Sequence, residues 1–265
     1  MRTLAWAPAR AGYALYATLA FLVTGVAALI AALVLPGVRR RRAAARASAR
    51  AFLWLAGMPL TVRGIERLAP GQCVVVANHA SYLDGLVFTA ALPARFSFVI
   101  KREMSAVPLV GLFLRRIGSE FVERFDRNRG AADARRVLRN AASGHSLVFF
   151  PEGTFTRTPG LLKFHTGAFV IAARAGCPVI PAVVRGTRSA LPPSGGLPRP
   201  GRIAIDILPP IERPPQAAEV SSAALRDRAR QQILLALGEP DLTCSDDSAH
   251  PPRKARAKSA QASRP

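Results

Sequence analysis

The pattern of apolar and polar positions divides the chain into stretches of different texture. From Tyr13 to Leu35 run 23 residues without a charge, which as a helix measure roughly 35 Å, enough to span a hydrocarbon core. An arginine block follows where a signal peptide would carry a polar cleavage region, so residues 13–36 read as a transmembrane anchor behind a short N-terminal segment, 1–12. Residues 37–60 read as a basic juxtamembrane region. Its later part, alanine-rich and then apolar around Phe52-Leu53-Trp54-Leu55, fits equally an interfacial helix and one packed in a core.

From residue 61 to residue 240, short apolar runs alternate with segments of helical period, the texture of an α/β domain with a mostly parallel sheet flanked by helices. Strands are predicted over Leu60 to Val62, Cys73 to Ala77, Phe96 to Ile100, Glu120 to Val122, Leu147 to Phe150, Val179 to Val184 and Ile203 to Leu208. Helices are predicted over Tyr82 to Leu92, Val107 to Ile117, Arg129 to Ala142, Thr166 to Ala175 and Ser222 to Leu237. Ser221 and Ser222 are cap candidates for the last helix, and Gly238-Glu239-Pro240 stops it. Residues 241–265 carry almost no apolar side chains and read as a disordered basic tail.

Composition narrows the partners. A formal charge of +21 and a pI near 11.6 call for an anionic partner: nucleic acid, an anionic membrane surface or a phosphate-bearing substrate. Arg39, Arg40, Arg41, Arg42, Arg46 and Arg50 outnumber Arg2 and Arg10 across the apolar run, which places the domain on the cytoplasmic side of the membrane. The same arginines are expected to hold anionic headgroups. Nucleic acid is not expected as a partner: aromatic side chains for stacking are few, no helix-turn-helix or zinc pattern appears, and an apolar anchor has no place in that account. Cys73, Cys177 and Cys244 lie far apart without metal-ligand spacing, so neither a disulfide framework nor a metal site is expected.

Polar residues collect just past the predicted strands, where open α/β sheets place their ligands. Asn78-His79-Ala80-Ser81-Tyr82-Leu83-Asp84 follows the run Cys73 to Ala77. A neutral imidazole takes a proton from a hydroxyl, and a carboxylate on its other nitrogen fixes the tautomer and stabilises the imidazolium. The alternative is a plain turn, with Asn78 or Ser81 capping a helix and Asp84 in its first turn. Arg124 stands two residues past Val122, either to grip a phosphate or to pair with Glu123 or Asp126. Phe150-Pro151-Glu152-Gly153-Thr154-Phe155-Thr156-Arg157 is either an ordinary β-turn or a place where backbone amides approach an anion. His165 opens a predicted helix and reads as a helix-start or surface residue.

Together and in this order the segments resemble the glycerophospholipid acyltransferase family, in particular the bacterial 1-acylglycerol-3-phosphate acyltransferases, over roughly residues 50 to 210. Asn78-His79 to Asp84 is similar to the family's catalytic block, Phe121 to Arg124 to its second block, Phe150 to Thr154 to its third, and Val179-Ile180-Pro181-Ala182-Val183 to its fourth. Two positions depart from the pattern: Phe155 stands where many relatives have arginine, and Glu123 where aspartate is common. The resemblance implies catalysis by His79 and Asp84 and an acceptor phosphate site built from Arg124, Glu152, Gly153, Thr154 and Arg157, with Lys101 a further candidate. It implies an acyl thioester as co-substrate, acyl-CoA or acyl carrier protein, and no other cofactor. The acceptor would be 1-acylglycerol-3-phosphate; other lysolipid acceptors, including amino-acid lysolipids, and a non-catalytic lipid- or nucleic-acid-binding module are the competing readings.

Overall fold

The run Cys73 to Ala77 has no polar residue on either face, and a strand of that kind belongs at the centre of a sheet covered on both sides. In the computed structural model, which describes residues 7–68, 70–123, 137, 139, 144–193, 195–211 and 221–243, it does. The strands are β1 (Leu60–Arg63), β2 (Val74–Ala77), β3 (Phe96–Lys101), β4 (Glu120–Val122), β5 (Ser146–Phe149), β6 (Val179–Arg185) and β7 (Ile203–Ile207). The helices are α1 (Ala7–Val34), α2 (Val38–Leu55), α3 (Leu83–Ala91), α4 (Val110–Arg116), α5 (Gly167–Ala175), α6 (Thr187–Ala190) and α7 (Ser222–Leu237). One sheet forms in the order β1-β7-β6-β2-β5-β3-β4, parallel throughout except between β6 and β7. All seven predicted strands are present.

Alternation along β2 divides the core into two layers. Val75 and Ala77 face Phe52 and Leu53 of α2 and Leu83, Val87 and Phe88 of α3. Val74 and Val76 face Ala168, Phe169 and Ile171 of α5 and Leu225, Ala229 and Ile233 of α7. Burying each Val, Leu, Ile or Phe among them stabilises the fold by about 1.5–3 kcal/mol. The chain leaves the neighbouring strands β2 and β5 toward opposite faces, to α3 and α5 respectively, and a crevice opens at their carboxyl ends.

The N-terminal helix, long and apolar enough to cross a membrane, differs from its sequence reading in extent. Helix α1 reaches beyond Tyr13 to Ala7 among the described residues; Pro8 is tolerated near a helix start, and Ala9 and Arg10 are good helix formers. Its small face, Ala14, Ala17, Ala20, Ala28 and Ala32, is buried, while Leu15, Leu19, Leu22, Val23, Val26, Ile30 and Val34 point outward. Helix α2 begins at Val38 and takes in the whole arginine block, packing its buried Phe52 and Leu53 into the domain core.

The arginines expected to hold headgroups are largely committed to protein carbonyls. Arg42, 9% exposed, donates to Ile117, Gly118 and Arg95 oxygens. Arg46 and Arg50 donate to Ala91 and Ala90 at the end of α3, and Arg41 to Leu35 beyond α1 and to Arg116 at the end of α4. Three helix C-termini, each with unpaired carbonyls and a negative dipole end, are thereby capped by one helix. Arg39 and Arg40 remain exposed.

The domain also extends past residue 240. Asp241 bridges to Leu161 and pairs with Arg230, so the strand-like contact continues to Leu242. The predicted helix over Arg129 to Ala142 falls outside the described residues apart from Val137, helical and buried, and Arg139. The predicted tail from Cys244 onward lies outside them as well.

Candidate active site

At the carboxyl end of β2, Asn78 extends the sheet by one residue with its side chain. Its Nδ2 donates to the Val184 oxygen at 3.1 Å and its Oδ1 accepts from the Val184 amide at 2.8 Å, so the amide imitates a backbone unit against β6. This fixes the direction in which the chain departs toward His79.

The next residues form the pair anticipated from spacing. His79 Nδ1 lies 2.7 Å from Asp84 Oδ2. Asp84 is fully buried, and the same oxygen accepts from the amides of Ala80 at 2.6 Å and Ser81 at 2.9 Å. Three converging N–H groups hold the carboxylate as an acceptor, so Nδ1 carries the imidazole proton and Nε2 is the free base. Turn and catalytic pair are therefore one structure: the carboxylate that orients the histidine also ties the first turn of α3 to the loop before it. Ser81 is fully buried and donates its Oγ to the Leu191 oxygen, which leaves it no role as a nucleophile.

Aromatic rings enclose the base. Phe150 stacks on His79 at 4.5 Å between centroids, and Phe155 meets it edge-on at 4.6 Å and meets Tyr82 at 4.8 Å. Low polarity around the ring strengthens its bond to Asp84.

Glu152 occupies a different place from the one expected of a substrate ligand. It is 4% exposed and turned inward. Oε1 accepts from the His79 amide at 2.6 Å and Oε2 from the Leu162 amide at 2.9 Å. Burial pushes its carboxyl up to about 7, against the pull of those two amides and of Arg188. Gly153, expected to offer its amide to an anion, gives it to the Phe150 oxygen at 3.0 Å. This closes a β-turn with Pro151 second and Gly153, at φ 74°, last, the positions those residues prefer. The Pro-Glu-Gly segment therefore braces the histidine loop from beneath.

Residues 59–185 match the family described as Acyltransferase. Over that segment the chain carries an acyltransferase-family domain. It is 32% identical over 154 residues to a chloroplastic 1-acyl-sn-glycerol-3-phosphate acyltransferase of Brassica napus, covering 57% of this chain and 44% of that protein. It is 33% identical over 193 residues to a 1-acyl-sn-glycerol-3-phosphate acyltransferase of Chlamydomonas reinhardtii, covering 70% of this chain and 55% of that protein. The chain thus spans about half the length of these relatives. The crystal structure of the 1-acyl-sn-glycerophosphate acyltransferase PlsC of Thermotoga maritima shares the fold, with a TM-score of 0.70 at 21% identity over 91% of this chain and 97% of that one.

In this acyltransferase domain the remaining expected ligands that are described are exposed, on a loop and at a strand end. Thr154 and Arg157 are exposed on the loop beyond Gly153. Lys101, also exposed, ends β3, where it is in register with Val122 of β4. Arg124 lies outside the described residues, two positions past the end of β4. His165 is exposed and uses its amide on the Pro151 oxygen, in keeping with a surface position. Sequence reasoning missed the work of Asn78, whose only signal was its place between an apolar strand and the histidine. It also missed Arg188, which binds the Thr156 and Thr158 oxygens from α6 and carried no motif.

Proposed function

We propose that the protein transfers a fatty acyl group from an acyl thioester, acyl-CoA or acyl carrier protein, to the free hydroxyl of 1-acylglycerol-3-phosphate, making phosphatidic acid. The observation that carries this reading is the His79–Asp84 pair at 2.7 Å, its Nε2 left as base among aromatic rings. His79 takes the proton of the acceptor hydroxyl, whose oxygen attacks the thioester carbonyl; the new C–O bond forms, the C–S bond breaks, and the proton passes to the departing thiolate. Asp84 stabilises the imidazolium in between. The burial of Ser81 favours direct transfer over a covalent acyl-enzyme. Lys101 at the end of β3, Arg124 and Arg157 are the cations proposed for the acceptor phosphate.

The test is a lipid-product assay in vesicles that offers 1-acylglycerol-3-phosphate beside other lysolipids, with each kind of thioester. Phosphatidic acid from wild type and none from His79→Ala is expected. Near-normal turnover by His79→Ala would sink the mechanism, and acylation of another lysolipid alone would reassign the acceptor.

Membrane association belongs to the same proposal. The outward face of α1 is a continuous apolar strip, and Val107, Leu109 and Val110 ahead of α4 are exposed as well. Both ends of α1 are bonded to the rest of the protein: Tyr13 and Tyr16 to the Ala56 and Leu55 oxygens, and Leu33 to Arg116. A helix roughly 42 Å long that is tied at both ends favours insertion along the face of the domain over a crossing that leaves the domain hanging from one end. The basic surface, with Arg39 and Arg40 exposed, favours a membrane face rich in anionic lipids, the cytoplasmic side of the inner membrane. A tag before Met1 is expected on the same side as the C-terminus in sealed vesicles; protection of one tag and cleavage of the other by added protease would restore a spanning anchor.

A further inference from the structure

The acyltransferase-family segment ends at residue 185, yet the loop that carries Phe155 and Arg157 is held from beyond it. After α7 the chain passes Gly238 and runs back along this loop. Glu239 Oε2 accepts from the Gly160 amide at 2.6 Å and pairs with Arg188 at 3.1 Å. Arg188 in turn donates to the Thr156 and Thr158 oxygens at 2.9 and 2.8 Å. Leu161 donates to the Pro240 oxygen and accepts from the Leu242 amide. Arg230 of α7, bonded to both oxygens of Asp241, donates also to the Leu161 and Leu162 oxygens. Leu242 sits so close that a Cβ on Gly160 would lie 2.4 Å from its Cγ.

The inner side of the loop meets the catalytic pair. Leu162 gives its amide to Glu152, whose other oxygen holds the His79 amide, and Phe155 stands edge-on against the His79 ring. Glu239 Oε2 and Arg188 Nη1 and Nη2 bind backbone of the loop or each other. The group thus fixes main-chain position and does not itself face the reacting atoms.

We propose that Gly238–Thr243 is a strap, with Glu239 and Arg188 as positioning residues, that sets the loop carrying Phe155 against His79 and thereby sets discrimination between acceptors. Phe155 and Tyr82 form one wall of the space through which a hydroxyl reaches Nε2, and the strap determines where that wall stands. A displacement of about 1 Å at such a site costs on the order of a hundredfold in rate. The selectivity part rests on the acyltransfer proposed above; the strap itself does not.

Two measurements on the full chain separate these. Hydrogen exchange followed by mass spectrometry on wild type, Glu239→Ala, Glu239→Gln and the control Arg226→Ala reads residues 153–162 without any substrate. At least tenfold faster exchange there in Glu239→Ala alone is expected, and unchanged exchange overturns the strap. With acyl-CoA as donor, kcat/KM is then compared for 1-acylglycerol-3-phosphate and lysophosphatidylethanolamine. Glu239→Ala is expected to lower kcat about tenfold, to leave the acyl-CoA KM within about twofold, and to change the ratio between acceptors about fivefold or more. Glu239→Gln, which keeps an oxygen for the Gly160 amide, restores most of both. A pure loss of stability scales both acceptors by the folded fraction and leaves their ratio unmoved, and that result overturns the selectivity role. If wild type acylates neither lysolipid, the proposed activity fails while the exchange result still decides the strap.

Discussion

Replacing Glu152 by Gln separates what this carboxylate costs the fold from what it contributes to catalysis. Burial pushes its carboxyl from 4.5 to about 7 although two backbone amides point at it. In the unfolded chain it ionises near the ordinary value. A folded-state value raised above the unfolded one means that the native protein holds the extra proton between about pH 4.5 and 7. The stability this confers is complete below the unfolded value and is lost as pH rises through the folded one. At 1.36 kcal/mol per pH unit the loss is about 3 kcal/mol, or roughly 6–12 °C in Tm for a domain of this size. Glutamine does not titrate, and near pH 5 it presents the same single acceptor as the protonated acid, so the two proteins should then agree within about 1 kcal/mol. Thermal unfolding in mild detergent from pH 5 to pH 8 is therefore expected to show the Gln variant overtaking wild type, with the whole difference appearing across that window. Its kcat at pH 8 should nonetheless be about tenfold lower, because one of the amides of His79 and Leu162 loses its acceptor. A difference in stability that stays flat from pH 5 to 8, or full turnover by the variant, would refute the reasoning.

Two further substitutions probe the same physics elsewhere. In Asp84→Asn the amide oxygen is expected to take the place of Oδ2 and keep its three N–H donors, since Oδ1 has no partner among the described residues. Geometry survives and the charge does not, so kcat should fall on the order of a thousandfold with little change in the KM for either substrate; a loss below tenfold would mean that orientation alone suffices. Arg42→Leu strands the carbonyls of Arg95, Ile117 and Gly118 and should lower stability by about 3 kcal/mol or more in thermal unfolding. A drop under 1 kcal/mol would remove the capping role assigned to that side chain.

The amino-acid sequence by itself determined the elements that local pattern controls. Apolar runs such as Cys73 to Ala77 and Val179 to Val184 are buried on both faces and announce central strands whatever surrounds them. The spacing from His79 to Asp84 likewise placed an imidazole and a carboxylate within reach, because one short loop and the first turn of α3 span that distance. Tertiary structure decided what depends on groups distant along the chain. Six arginines after an apolar run look the same whether they face lipid headgroups or the open ends of helices, and only the approach of α3 and α4 commits four of them to carbonyls. Glu152 looked like a phosphate-site residue because a carboxylate after a strand points either way from a turn. The pairing of β2 with β5 turns it inward, onto the amide of His79. Glu239 read only as part of a helix stop, since its partners Gly160 and Arg188 lie 79 and 51 residues away and only folding brings them together.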